Sequence, residues 1–488
     1  MSILTALTNK YSLEEAFAAK DCTTQEMRDA IKEWFFLYYN KVATKGSDPC
    51  QRIAYTVVNK LTKTCFGEYK AESKDEFVRG IIDALDDRKR KAMQMLLVGG
   101  ENFLKPVPTA DGWVFRVVRR DNVLVFGRDA SGTPTDIGTA ERTAQGNKFY
   151  TLLERRTVDA QGRLTIRNKL FCSLDVGFLG QPVPLKSLEQ YAALVPEYTY
   201  PTPLGGLGLV YMKVPIENTV DGSDDGVAVY DAAVGLIHNI DINEAQINGE
   251  FDRGESKVFA SADLMKRDKD GKRRFEDNVF VALDDAPENV GVTIFSPALR
   301  EQSFLNRKRE YLRNVETIIG IKRGLLSEVE AAERTAKEVT SSEGDYNLTI
   351  TDLQEVWTNA VHDALKLCGV LGKLYKVKGA HDIPEPEGIV TIDWGNGVLF
   401  DEEKTWADYM AMVAAGMLKP EVALGWKFGM PTETEKDLTA IREKFMPATE
   451  SMTADLPGES GPLPPKAKKK AEAEEAPDDE EEDEGAVE

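Results

Sequence analysis

Apolar residues recur at helical spacing through the first hundred positions of this chain. Met27, Ile31, Trp34, Phe35 and Tyr38 make one face, and Ile53, Val57, Leu61 and Cys65 make another. Ser12 with Glu15, Thr23 with Glu26, and Ser73 with Glu76 each fit a capping box, and Asp48-Pro49 fits a helix start. The Gly99-Gly100 pair predicts the end of a fourth helix. Between 110 and 215 the pattern shortens to strand-like runs at 113–118 and 122–126. Two more, at 150–156 and 163–171, flank a turn from Asp159 to Gly162 and predict a hairpin. A polar loop at 220–225 precedes a helix predicted over 226–250, with Ala233, Leu236, Ile237, Ile240 and Ile247 as its stripe. Short apolar runs at 257–260 and 279–283 then bracket a polar turn, Asp268, Lys269, Asp270 and Gly271. Ser296 and Pro297 suit the N-cap and first position of a second helix, whose face is Phe304, Tyr311, Val315 and Ile318. Gly320 and Gly324 break it. A long helix follows over 348–371, with Leu353, Trp357, Val361, Leu365 and Cys368 on one side. A strand at 389–394 and two or three short helices up to about residue 445 complete a mixed α+β chain without internal repeat.

Composition narrows the classes. At 488 residues and 42% hydrophobic content the chain can bury a sizeable core in two or more lobes. Its five cysteines (Cys22, Cys50, Cys65, Cys172, Cys368) are scattered, with no CxxC or metal spacing, which predicts a reducing compartment without a disulfide framework. The N-terminus lacks a basic region before its apolar residues and reads poorly as a signal peptide. No apolar run is long enough to span a membrane, so no membrane partner is expected. The net charge is −21, and eleven acidic residues with no basic ones lie in 472–488, so about half of the charge sits in one tail. From residue 451 on, Pro, Gly, Lys, Glu and Asp dominate, and disorder is expected. Tight binding of DNA requires many cations. This composition argues against it, while leaving room for a channel in which DNA slides.

Several blocks resemble portal proteins of long-tailed bacteriophages. They are 150–155 with 165–171, 214–218, 229–233 with Ile240, Asp241 and Glu250, 294–297, 334–339, and Asp393-Trp394 through 414–416 to Gly429-Met430. Their order over residues 30–445 carries the resemblance. It implies an outer wing (1–225), a first stem helix (226–250), a small β clip (251–295), a second stem helix (296–320) and a tunnel loop (321–345). A long helix and wing strand (346–399), a helical crown (400–450) and an acidic tail (451–488) complete it. It also implies a homo-oligomeric ring of about twelve subunits at one capsid vertex. The implied partners are the terminase large subunit, a head-completion adaptor, the major capsid and scaffolding proteins, and double-stranded DNA passing through. The virion would be its location, with assembly in the host cytoplasm.

Candidate residues follow from both readings. Lys322 and Arg323 are candidates for contact with DNA in the channel, against the plainer role of cations at a helix C-terminus. Asp268, Lys269, Asp270 and Gly271 are candidates for motor docking at the clip tip. They fail as a calcium loop, because the EF-hand pattern would need Lys266 as its first ligand. Leu236, Ile240, Ile247, Tyr311 and Val315 are candidates for subunit contacts, since two helices joined by a small insert leave faces to be covered by neighbours. Arg300, Arg307, Lys308, Arg309 and Arg313 make the second helix basic and are expected to be solvated or to pair with Glu301, Glu310 and Glu316. His238, Asp241 and Glu244 form a drifting stripe, better read as surface groups than as metal ligands. The segment from Gly205 to Gly208 lacks the context of a nucleotide loop, and no GxxxxGK[ST], HExxH or GxSxG is present. The expectation is a non-enzyme with no catalytic residue, metal or cofactor, ATP hydrolysis belonging to a partner motor. The alternatives are a minor capsid component without a pore, or a metal-dependent nucleic-acid-processing enzyme using Asp241 or Glu244.

Overall fold

The computed structural model describes residues 10–39, 50–109, 112–253, 257–260, 266–267, 273–274, 292–295, 300–327, 336–395, 402–432 and 434–446. The chain is mixed helix and sheet and divides into two compact units, residues 1–399 and 400–488. The polar turn at 268–271, the run at 279–283, Asp48-Pro49, Ser296-Pro297 and the tail lie outside the described residues.

Five helices open the first unit: α1 (Lys10–Phe17), α2 (Gln25–Tyr39), α3 (Ile53–Cys65), α4 (Glu76–Asp86) and α5 (Lys89–Gly99). The expected apolar faces are the buried ones, with Met27, Trp34, Val57 and Leu61 in the main core. The caps differ from expectation. Ser12 lies inside α1. Thr24, not Thr23, accepts the Met27 N–H at 3.2 Å. Asp75 caps α4, because Ser73 ends a strand, β1 (Lys70–Ser73).

Strands β2 (Glu101–Thr109) and β3 (Gly112–Arg119) form a three-stranded antiparallel sheet with β10 (Val210–Lys213). A second, antiparallel sheet runs β4 (Val123–Arg128), β5 (Pro134–Gln145), β6 (Lys148–Val158), β7 (Leu164–Ser173) and β8 (Gln181–Val183), with β9 (Glu197–Thr199) also on β7. The predicted hairpin is β6–β7. Asp159 Oδ1 accepts the N–H groups of Gln161 and Arg163, both at 2.9 Å, and Gly162 takes a positive φ of 76°. Leu13 and Phe17 of α1 pack on the second sheet against Leu124, Leu153 and Phe171.

A buried ionic cluster ties the two sheets. Glu154 on β6 accepts from Lys105 on β2 at 2.7 and 2.9 Å and from Arg156 at 2.7 Å. Burial raises the Glu154 carboxyl, but Arg156 and Lys105 outweigh it and hold the group down at about 2. The unfolded carboxyl titrates near 4.5. The contribution of Glu154 is therefore complete above the unfolded value and is lost as pH falls through about 2, a change of about 3 kcal/mol. Burial lowers Lys105 against the pull of Glu154. A lowered amine opposes folding while charged and adds no loss on acidification. Urea unfolding between pH 5 and 2 should show this loss, and Glu154→Gln should flatten it. An unchanged slope in that variant would refute the assignment.

The segment after the sheets crosses the end of α5 at very close range. Gly100 caps α5 with φ 76°. Val214 donates to the Gly100 carbonyl at 2.8 Å, and Val229 donates to the Leu97 carbonyl at 2.9 Å. A Cβ at Gly226 would stand 2.4 Å from the Gly100 oxygen, so only glycine fits. Gly226→Ala should cost about 1–3 kcal/mol in urea unfolding. Gly235→Ala, where a Cβ meets nothing within 4 Å, is the matched control and should be neutral or mildly stabilising.

Trp34 Nε1 donates to Asp231 at 2.8 Å, and Tyr230 Oη donates to the Trp34 carbonyl at 2.8 Å. They fix the start of α6 (Val234–Arg253), eight residues later than the predicted 226. Four short strands follow: β11 (Lys257–Ala260), β12 (Lys266–Arg267), β13 (Arg273–Arg274) and β14 (Val292–Phe295), paired β11–β14 and β12–β13. Helix α7 (Glu301–Ile319) begins after Arg300 rather than at Ser296. Helix α8 (Ala336–Tyr375) is 40 residues long, so ten residues predicted as loop are helical. Ile350, Leu353, Trp357, Val361, Leu365 and Cys368 of α8 lie in the main core. Strand β15 (Val390–Asp393) pairs with β1. Among the described residues, no helix is long and apolar enough to cross a membrane.

The second unit contains α9 (Glu402–Ala414), α10 (Pro420–Lys427) and α11 (Glu435–Phe445). Ala423 and Ile441 are buried. Glu421 accepts from Arg442 at 2.6 Å, and Thr434 with Asp437 forms a capping box.

Candidate assembly element and its loop

Helices α6 and α7 run antiparallel. Partners rise along one as they fall along the other: Glu250 with Arg300 at 3.0 and 2.9 Å, and Glu244 with Lys308 at 2.7 Å. Asn243 donates to the Phe304 carbonyl at 3.0 Å. Of the predicted basic face, Arg300 and Lys308 are thus paired across helices, while Arg307 pairs along α7 with Glu310 at 3.2 Å.

The five residues expected at subunit contacts do not share one environment. Ile240 and Val315 are fully buried (0% exposed) and Ile247 nearly so. Leu236 and Tyr311 pack partly buried against the same core, with Arg307 over the Tyr311 ring at 4.6 Å. Ile240, Ile247 and Val315 are thus covered by the chain's own body. Ile318, predicted on the apolar face of α7, is exposed. With Ile242, Phe251 and Leu305 it makes up the apolar surface that α6 and α7 leave open.

The His238, Asp241 and Glu244 stripe is spent on separate partners. His238 Nε2 meets Glu33 at 2.6 Å, Asp241 Oδ1 accepts the Gln51 N–H at 2.9 Å, and Glu244 holds Lys308. Among the described residues no group of His, Cys, Asp and Glu is arranged to hold a metal ion.

Helix α7 ends in a Schellman motif. Gly320 takes φ 72°, the Ile321 N–H reaches the Glu316 carbonyl at 3.0 Å, and the Gly320 N–H reaches Thr317 at 3.3 Å. The loop beyond is organised by one side chain that sequence reasoning assigned to surface pairing. Glu316 is 0% exposed. Its Oε1 accepts the N–H groups of Gly324, Leu326 and Ser327 at 3.1, 2.6 and 2.9 Å, and its Oε2 accepts the Ser327 hydroxyl at 2.7 Å. Lys60 on α3 donates to the Leu325 carbonyl at 2.5 Å. Residues 320–327 are therefore an anchored turn. Within it Lys322 is half-buried and electrostatically coupled to Tyr346, whereas Arg323 is exposed. Only the second presents its charge freely to solvent. The four clip-tip candidates, Asp268, Lys269, Asp270 and Gly271, lie outside the described residues, between the paired strands β12 and β13.

Sequence reasoning also missed a buried ionic group at the junction of the sheets. Arg120 meets Glu101 at 2.7 Å and Asp225 at 3.3 Å. Arg128 pairs with the same two carboxylates, and Tyr211 donates to Glu101 at 2.7 Å. Burial pushes the Tyr211 phenol up, and Glu101 adds to it. Residues this far apart in sequence leave no periodic signal.

No family model and no curated protein matches the chain. Among solved structures it is similar to a chain described as "Neck of native GTA particle computed with C12 symmetry", at 11% sequence identity and a TM-score of 0.41, over 82% of this chain and 99% of that one. A likeness at that level carries no argument about function.

Proposed function

We propose that this chain is the subunit of a portal-type ring, a structural conduit rather than an enzyme. One observation supports the reading most. In a single unit, two antiparallel helices bracket paired short strands, a glycine-capped turn follows, and a 40-residue helix returns into the core. That is the order the sequence blocks imply for stem, clip, stem, tunnel loop and long helix. The helix pair leaves Ile242, Phe251, Leu305 and Ile318 exposed, and copies arranged head to tail around a closed ring would cover them. In this reading about twelve subunits sit at one capsid vertex and nucleate head assembly. The ring docks the terminase large subunit and a head-completion adaptor, contacts major capsid and scaffolding proteins, and passes double-stranded DNA. Arg323, repeated around the ring, supplies weak contact with phosphates.

Negative-stain electron microscopy with mass by light scattering tests this. The expected result is rings with an axial hole and a mass near a dozen chains, alone or on co-expression with capsid proteins. Ile242→Asp with Ile318→Asp should abolish the rings and leave the thermal melt of the subunit unchanged. Subunits that stay monomeric even with capsid proteins, or rings indifferent to both substitutions, would overturn it.

A further inference from the structure

A pocket of about 690 Å³ lies where the end of α2, helix α5, the end of β3 and the β5–β6 hairpin meet. Its wall carries Lys91, Arg119 and Arg142, the amide of Gln94, and the rings of Tyr39 and Phe149. No carboxylate lines it among the described residues, in a chain with 82 acidic side chains. Arg119 is already matched, its Nε and Nη2 edge gripping Asp121.

Arg142 is the anomaly. Its Nε and Nη2 are sealed from water and have no hydrogen-bond partner among the described residues. Elsewhere in this chain that same guanidinium edge takes a carboxylate. Arg155 takes Asp136 at 3.0 and 2.6 Å, Arg300 takes Glu250 at 3.0 and 2.9 Å, and Arg167 takes Glu197 at 3.0 and 2.9 Å. A buried donor pair without an acceptor is costly, and the planar fork is shaped for an oxyanion. Burial lowers the Arg142 guanidinium, as it does a cation without a counter-charge. Register places the side chain in reach of the pocket. Arg142 stands opposite Thr151 on the β5–β6 ladder, one alternate position from the Ala144–Phe149 pair that lines the same wall.

We propose that this pocket binds a phosphate-bearing ligand with a planar ring, a nucleotide unit, free or at the end of a single strand. The phosphate sits on the Arg142 fork, reached by a rotamer change of that flexible side chain, with Lys91 beside it. The base stacks on Phe149 or Tyr39, and the Gln94 amide offers both a donor and an acceptor to a base edge. The volume suits one nucleotide. The inference stands apart from the ring reading, since it uses neither α6 nor α7.

Isothermal titration of the full chain with adenosine 5′-monophosphate, adenosine and a 5′-phosphorylated six-nucleotide DNA strand tests it. The monophosphate or the strand should bind, and adenosine about tenfold or more weakly. Binding of the strand alone assigns the polymer as the source, and binding of the monophosphate assigns the free nucleotide. Arg142→Lys, which keeps the charge and loses the fork, should weaken binding about tenfold, and the surface variant Lys91→Glu should weaken it without touching the fold. The proposal fails if neither phosphorylated probe binds at millimolar concentration, if adenosine binds as well as its phosphate, or if both variants bind like the parent.

Discussion

Glu316→Ala should destabilise the first unit by roughly 3–5 kcal/mol, the loss of several buried hydrogen bonds at once. The carboxylate is inaccessible to water and is the shared acceptor of three backbone N–H groups and one hydroxyl in the turn at 320–327. Alanine leaves those donors facing a void, and each buried donor without a partner costs about 1–3 kcal/mol before the turn relaxes toward water. Glu316→Gln is the informative companion. Its amide oxygen can still take the three N–H groups, while its NH₂ can no longer accept from Ser327, so the loss should be well under that of alanine. Urea unfolding gives the magnitudes. Limited proteolysis should locate the damage, with new cleavage confined to 321–327 in the alanine variant. A loss below about 1 kcal/mol would mean that the turn is held by the Schellman cap and Lys60 instead. In the ring reading the same variant separates assembly from threading. Helices α6 and α7 remain, so rings should form, while the segment that carries Arg323 loses its anchor.

Much of the fold was legible because periodicity reports burial. The faces of α2, α3 and α8 are legible from helical periodicity, β3 and β4 from their apolar runs, β6 and β7 from runs that flank a turn signal, and the strand at 390–393 to within a residue of its bounds. What escaped had physical causes. Strand β5 carries Thr, Asp, Gly, Ala and Glu with little β-branched alternation, and it exists because β4 and β6 pair with it on both sides. Strand β2 contains Pro106 and Pro108, which read as breakers. Strand β10 pairs only with 101–104, so both prolines occupy the open edge where no ladder donor is needed. At the candidate site, the two helices and the glycine stop were visible. The depth of Ile240 and Val315 was not, because an amphipathic stripe announces that it will be covered and not by which chain. Glu316 was misjudged for the same reason. Its i,i+3 spacing from Arg313 suits a surface pair, and its real partners are mainly backbone groups that a sequence does not display.

The other large effect lies in the buried quartet. Arg120, Glu101, Asp225 and Arg128 balance two charges of each sign, and the first three are almost wholly buried. Arg120→Met leaves both carboxylates on Arg128 alone, and an uncompensated buried charge costs roughly 3–5 kcal/mol. The double variant carries the diagnosis. Arg120→Met with Glu101→Gln removes the surplus charge and leaves Arg128 with Asp225, so the pair should lose less than the sum of the two single variants. Additive losses would mean that Arg120 matters for the volume it fills, between Thr23 and the Val123 carbonyl, rather than for its charge.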